Sequence, residues 1–563
     1  MNKSRSPRFM PFFLALSMIA GILIGTFYAN HFSGNRLNII NTSNNKLNDL
    51  LRIIDEQYVD TIDMATVIED AMPKILSELD PHSAYISAQN AEESMEDLKG
   101  SFSGIGVMFT IKDDTIHIME VLEGGPSEKV GLMAGDRIIS VDNKPFVGDS
   151  VTDINAKKKL KGPKGSKVTL GIRRRTEKEP MTFEIVRGDI PQHSIDVAYM
   201  INDQTGYLRV KSFSETTYPE LLVALAKLNK QGLKNLIIDL RGNSGGYMHT
   251  AIQMANVFLP KNQLIVYTEG RKSPRENYFS DGQGGFRNLP LIVLIDERSA
   301  SASEIFAGAI QDNDRGTVIG RRSFGKGLVQ LPIEFRDGSI VRLTTARYYT
   351  PSGRCIQKHY EKGHEEEYEN DLLTRYERGE FFSQDSIKQE GEKYTTRLGR
   401  TVYGGGGIMP DIFVPEDTTG ITVYYKEAVF SGLLRQFCFE YADANRQELN
   451  KFETPDELAQ YLKRKNVINQ FANYAAKKGL KRRNLMIRKS YKLFEENVYG
   501  MIIYNIMNTE AFIKYLNETD PAIIKSLAVM EAGEAYPKKP ETQKAATEKT
   551  QKSDQTSKEK KNK

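Results

Sequence analysis

The chain is poor in the residues that build metal and redox centres. Its 563 residues include two cysteines, Cys355 and Cys438, neither in a CxxC or other ligand-like spacing. That argues against a thiolate metal site and leaves a disulfide between them open; no metal and no cofactor are expected. A large excess of charge of one sign is missing as well. The net charge is +4, yet residues 537–563 alone carry nine lysines against four acids, so the rest of the chain is close to neutral. No folded segment shows a basic stripe interleaved with aromatics, and nucleic acid is not an expected partner. Membrane-length apolar runs are absent except at residues 11–29, PFFLALSMIAGILIGTFYA, preceded by Lys3, Arg5 and Arg8. Bulky Phe27 and Tyr28 stand where a cleavage site needs small residues, and no cysteine offers a lipoprotein signal. Residues 1–32 therefore read as an uncleaved signal anchor, positive end inside, with the remainder in the periplasm and the inner membrane as partner.

Such a length exceeds what one core can use and predicts several domains. Residues 44–99 have a helical pattern, with Leu47, Leu50, Leu51 and Ile54, then Val67, Ile68, Met72, Ile75, Leu76 and Leu79, closing on LDPHSAYIS. His82 beside Asp80-Pro81 reads as a turn residue. Residues 205–350 alternate apolar strand runs (Tyr207–Val210, Leu236–Leu240, Leu264–Tyr267, Leu291–Ile295) with helical runs (Tyr218–Lys230, Met248–Phe258, Ser301–Asp312), which predicts a layered α/β core. Residues 421–530 become amphipathic helices, as in Leu433, Leu434, Phe437 and Phe439, a candidate surface for homo-oligomer or adaptor contacts. Residues 531–563 read as a disordered Lys-rich tail.

The chemistry concentrates in residues 296–330, DERSASASEIFAGAIQDNDRGTVIGRRSFGKGLVQ. A serine hydroxyl needs a neighbouring base to attack a carbonyl, and an unprotonated lysine can serve. Ser301 precedes an apolar stripe (Ile305, Phe306, Ala309, Ile310), which puts it at a helix N-terminus where backbone N–H groups can hold an oxyanion. Lys326 sits between Gly325 and Gly327. As a base near neutrality it needs a pKa lowered by roughly 3 units from its usual ~10.4. Each motif also has an ordinary structural reading: Ser301-x-x-Glu304 is a capping-box pattern, and Gly-Lys-Gly is a common turn. Two rival serines exist. Gly242-Asn243-Ser244-Gly245-Gly246 fits G-x-S-x-G, an α/β-hydrolase elbow, but only His249, His359 and His364 follow it. Ser323-x-x-Lys326 fits S-x-x-K, but Gly325 opposes the helix which that motif uses.

The phrases SASASEI, AGAIQDN, RSFGKG, VQ, DGS and LTTARYYTPSGR follow one another as in the C-terminal processing peptidases, or tail-specific proteases, which this chain resembles over much of its length. In that family the nucleophilic serine lies 25 residues before the lysine, the separation of Ser301 and Lys326. The resemblance implies oxyanion donors at Ala302 and at Gly246 of the LRxNxGG turn, and a lysine-positioning role for Gln330. It also implies a fold similar to crotonase and Clp-type peptidases for residues 189–416, and protein or peptide substrates with accessible C-termini.

Within residues 100–188, GGPSEKVGLMAGDRIISVDN resembles a PDZ domain. Such a domain would grip a terminal carboxylate with backbone N–H groups of Gly104, Ile105, Gly106 and Val107 and pair the following strand with the peptide. The family pattern GI-x-PD returns as Gly407–Asp411 only after a charged insertion at about 358–403, whose role as lid, partner surface or solvated excursion the sequence leaves open. Its His359, His364 and glutamates read as a solvated acidic face. Fold and function expected are thus a multidomain α/β protein and a serine endopeptidase. The competing reading is a non-catalytic adaptor that binds protein tails.

Overall fold

The computed structural model describes residue 21 and residues 42–122, 124–361, 364–388 and 391–539. The candidate membrane anchor, apart from Gly21, and the tail from 540 onward lie outside the described residues. Among the described residues no helix is long and apolar enough to cross a membrane. Residues up to Glu78 form one unit, with helices Thr42–Gln57 and Met64–Ser77, the second capped by Asp63. The described residues from Leu79 onward form another.

The centre of this second unit is a sheet of six strands in the order Ile195–Met200, Thr205–Val210, Asn235–Asp239, Leu291–Ile295, Thr317–Gly320, Ile412–Phe413. The first pair is antiparallel and the rest are parallel. Parallel strands covered on both faces need unbroken apolar runs, and Leu291–Ile295, LIVLI, is buried at every position. Helices Thr217–Lys230, Met248–Phe258 and Ala302–Asp312 contribute to one core with residues such as Leu225, Met254, Phe258 and Phe306. Helix Pro521–Glu531 provides Ile523, Val529 and Met530 to a second core with Ile237, Ile292, Leu294 and Ile319. The C-terminal helices therefore do more than form a separate bundle: the last of them packs on the central sheet. The segment just after it stays docked, with Ala535 buried and its carbonyl accepting from Thr317 Oγ1 at 2.9 Å, so residues 531–535 are not the loose tail expected from 531.

A second sheet runs Ala84–Ile86, Ile340–Tyr349, Leu264–Glu269, Glu276–Phe279, with Leu328–Glu334 also paired to Ile340–Tyr349. The PDZ region folds as a separate sheet, Val107–Lys112, Thr115–Val121, Arg137–Val141, Lys167–Arg173, Met181–Val186, around Ile116, Ile118, Ile138 and Leu170. Its chain enters and leaves through one antiparallel pair, Ser101–Gly104 with Gly188–Pro191. Val107–Lys112 lies at the sheet edge, with Thr115–Val121 as its strand partner. An edge of this kind can take up an added peptide strand.

The charged insertion is not a solvated excursion where it adjoins the core. Lys358 and Arg375 are buried: Lys358 Nζ donates to the Tyr368 carbonyl at 2.9 Å, and Arg375 pairs with Glu380 and donates to the Ser323 carbonyl at 3.1 Å. His359 and His364 stay exposed beside Glu361 and Glu367. Cys355 and Cys438 are free thiols.

Candidate active site

Ser301 immediately precedes the helix Ala302–Asp312, with φ 55° and ψ −115°, a left-handed backbone that serine adopts only under constraint. The constraint comes from the glycine turn opposite. A Cβ on Gly245 would come within 2.7 Å of both Ser301 Cβ and the Ala300 carbonyl oxygen, and one on Gly246 within 2.2 Å of the Phe213 carbonyl oxygen. Glycine at both places lets the turn close on the serine. Phe213 N–H donates to Gly245 O at 2.9 Å and Tyr247 N–H to Phe213 O at 2.7 Å. That pairing passes over the Gly246 N–H. Among the described residues the N–H groups of Gly246 and Ala302 have no acceptor; Ala302 follows the serine, and Gly246 follows the glycine that packs on it, in the same cleft. Two free backbone donors beside a strained serine suit an oxyanion.

Lys326 follows the strand Thr317–Gly320 through a loop and leads into Leu328–Glu334. Burial, and next the Arg342 guanidinium, hold its amine below the usual lysine range. Nζ donates to Gln330 Oε1 at 3.0 Å, and no hydrogen bond joins it to Ser301 Oγ among the described contacts. Gln330 in turn donates through Nε2 to the carbonyl of His82. Ser301, Lys326, Gln330, Gly245 and Gly246 line one cleft of about 1190 Å³.

Two residues that the sequence did not single out as functional tie the serine to the lysine. Glu304 is fully buried, and its Oε2 accepts from Ser301 N–H at 2.8 Å and Lys326 N–H at 2.9 Å; its Oε1 accepts from Ser323 Oγ at 2.5 Å and Gly325 N–H at 2.8 Å. Burial nevertheless pushes its carboxyl up to about 7. The hydroxyl of Tyr348, also buried, meets the carbonyls of Ser301, at 3.1 Å, and Lys326. The capping-box pattern was the sole sequence signal for Glu304, and it concealed the longer-range role.

The rival serines separate cleanly. Ser323 is buried between Glu304 and the Ile408 N–H, 2.6 Å from its Oγ, and cannot meet substrate. Ser244 is exposed in the cleft wall, and among the described residues no histidine bonds to it. In the PDZ region, Gly104 ends the entry strand, Gly106 has φ 77°, and Val107 opens the edge strand. Among the described residues the N–H groups of Ile105 and Gly106 have no acceptor, as a carboxylate loop requires. Phe102, Val107 and Met108 also line the large cleft, as do Asn508, Thr509 and Glu510 from the C-terminal helices.

Residues 204–369 match the family described as Peptidase family S41, and residues 117–174 match a PDZ domain. The carboxy-terminal-processing protease of Bartonella bacilliformis is 38% identical over 317 residues, 55% of this chain and 72% of that protein. The chain belongs to the carboxy-terminal-processing proteases. It is therefore a serine peptidase. The protease is also 34% identical over 316 residues to the carboxy-terminal processing protease CtpB of Bacillus subtilis, a stretch covering 56% of this chain and 65% of that one. Residues 424–509 of the protease, in its C-terminal helices, match a family of unknown function, DUF8443.

Proposed function

We propose that the protease is a membrane-anchored periplasmic endopeptidase that reads substrate C-termini with its PDZ domain and cleaves through Ser301 and Lys326. The observation that carries the reading is the pair of acceptor-free N–H groups, Gly246 and Ala302, beside a strained Ser301 in the cleft that also holds the Lys326 amine. Neutral Lys326 takes the Ser301 Oγ proton as Oγ attacks the scissile carbonyl, and the oxyanion settles on the two N–H groups. The lysinium then returns the proton to the leaving amine, and water repeats the sequence on the acyl-enzyme. For this Nζ keeps one N–H on Gln330 Oε1 and brings its lone pair toward Oγ, a tightening that substrate-free sites commonly leave to the complex.

Ser301→Ala and Lys326→Ala should each abolish cleavage of an unfolded substrate with an apolar tail, while Ser244→Ala retains a measurable rate. An active Ser301→Ala would end the dyad reading. The anchor reading rests on the apolar run 11–29 and the three basic residues before it. Protease added outside spheroplasts should digest the region beyond residue 33, and full protection would contradict a periplasmic location.

A further inference from the structure

The lysine's support does not end at Gln330. Gln330 Nε2 donates to the His82 carbonyl, so the amide cannot flip without losing that bond, and its Oε1 must face Lys326 Nζ, 3.0 Å away. The turn that carries this carbonyl is fixed twice over. On its backbone, Asp80 Oδ1 accepts from the N–H groups of His82 and Ser83, each at 2.9 Å, and from Thr344 Oγ1 at 3.1 Å, which locks Asp80–Ser83 onto the strand Ile340–Tyr349. On its side chain, His82 Nε2 lies 2.6 Å from the hydroxyl of Tyr368, with the two rings edge to face at 5.3 Å.

Tyr368 belongs to the charged insertion and is buried, at 6% exposure. Its hydroxyl accepts from Gln357 Nε2 at 3.4 Å, which leaves its own proton for His82 Nε2. Burial, and next the Lys326 charge, take His82 down to about 4, so the ring is neutral at physiological pH and can accept that proton. The tyrosine is itself held. Lys358 Nζ sits 3.9 Å from its ring centroid and 4.1 Å from that of Phe324, two residues before the lysine. The Lys358 N–H donates to Gly325 O at 2.8 Å.

We propose that Tyr368 and His82 are positioning residues for Lys326, acting through Gln330, and that the insertion is thereby part of the catalytic apparatus. The inference rests on the Ser301–Lys326 reading. A neutral amine has one lone pair, and fixing one of its N–H bonds on Gln330 restricts where that pair points. The insertion supplies the far end of this chain, 286 residues from His82 in sequence.

The test uses the full-length protease and one peptide substrate, with kcat and KM measured for wild type, Gln330→Ala, Tyr368→Phe and the double variant, and Ser301→Ala as blank. Misplacement of a reacting group by about 1 Å costs on the order of 100-fold, so Tyr368→Phe should lower kcat by about tenfold with KM unchanged. The double variant should be no slower than Gln330→Ala alone. His82→Phe, which keeps the carbonyl and an aromatic ring but no ring nitrogen, should reproduce the Tyr368→Phe loss and not add to it. A Tyr368→Phe variant equal to wild type, a loss that appears in KM, or losses that multiply in the double variant would each overturn the proposal. A cleaving Ser301→Ala blank would instead fault the dyad reading beneath it.

Discussion

Ser301 and Lys326 have two partners in common for their backbones: their N–H groups converge on Oε2 of Glu304 and their carbonyls on the hydroxyl of Tyr348. The separation of nucleophile and base is thus set by main chain, and only the amine at the end of the lysine is left to turn.

Glu304→Gln should show this. Both carboxylate oxygens accept two hydrogen bonds, so an amide NH2 placed there faces donors on whichever side it takes. We expect kcat to fall by about 10–100-fold and stability by about 1–3 kcal/mol, checked by steady-state kinetics and urea unfolding. The pH dependence has a definite sign. The Glu304 carboxyl is raised from 4.5 to about 7 in the folded protein, so its stabilising contribution is full below about 4.5 and is lost as pH rises through about 7. The stability gap between wild type and variant should narrow across that window; a gap that widens would contradict the assignment.

Arg342 is the second influence, after burial, that lowers the Lys326 pKa. Removing its charge in Arg342→Met should raise the pKa, because a like charge no longer disfavours the lysinium. As only the neutral amine can take the serine proton, the acid limb of the kcat/KM profile should move to higher pH. An unmoved limb would show that the lysine does not govern it.

Much of this core was legible in the chain because it is locally coded. Leu291–Ile295 is an unbroken apolar run because it is covered on both faces, and helix Met248–Phe258 appears with the bounds that its apolar spacing gave. Ser301 and Lys326 stood out as a serine before an apolar helix and a lysine between glycines, and their pairing, Gln330 and the glycine turn were named through the resemblance to the C-terminal processing peptidases. Glu304 was not, since three residues after a serine it reads as a cap, while its other partners lie 19 to 22 residues away and reach it only through loop packing. Lys358 and Arg375 were not singled out for another reason. Charged letters suggest solvent, but here they are buried against Tyr368, Asp371 and Glu380, and pairing of that kind leaves no periodic trace.

Recognition of tails can be tested by chemistry on the substrate alone. If the free N–H groups of Ile105 and Gly106 hold a terminal carboxylate, amidating the C-terminus of a peptide removes charge-assisted bonds of about 1.5–3 kcal/mol. kcat/KM should fall about tenfold or more against the free acid. Equal values would mean that the carboxylate is not read.

The last helix is predicted to matter to the sheet. Ile523 is fully buried against the central strands, and Asp520 at the start of the same helix pairs with Arg241 of the LRGNSGG turn at 2.7 Å. Ile523→Ala should cost about 2–5 kcal/mol of stability, measured by denaturant unfolding, whereas a free-standing C-terminal bundle would leave the sheet's transition unmoved.

The paired strands Ser101–Gly104 and Gly188–Pro191 bring the two ends of the PDZ region side by side. A domain inserted at one such doorway is a cassette: another could be spliced between the same two strands without rethreading the peptidase core. The splice is not free of conditions. Lys112 meets Glu440 at 2.7 Å, and Glu120 lies 3.4 Å from the Tyr504 hydroxyl, both across to the C-terminal helices. A newcomer with a lysine and a glutamate at those places would keep both contacts, so the outer face of the recognition domain and the C-terminal helices have to be considered together in any such exchange.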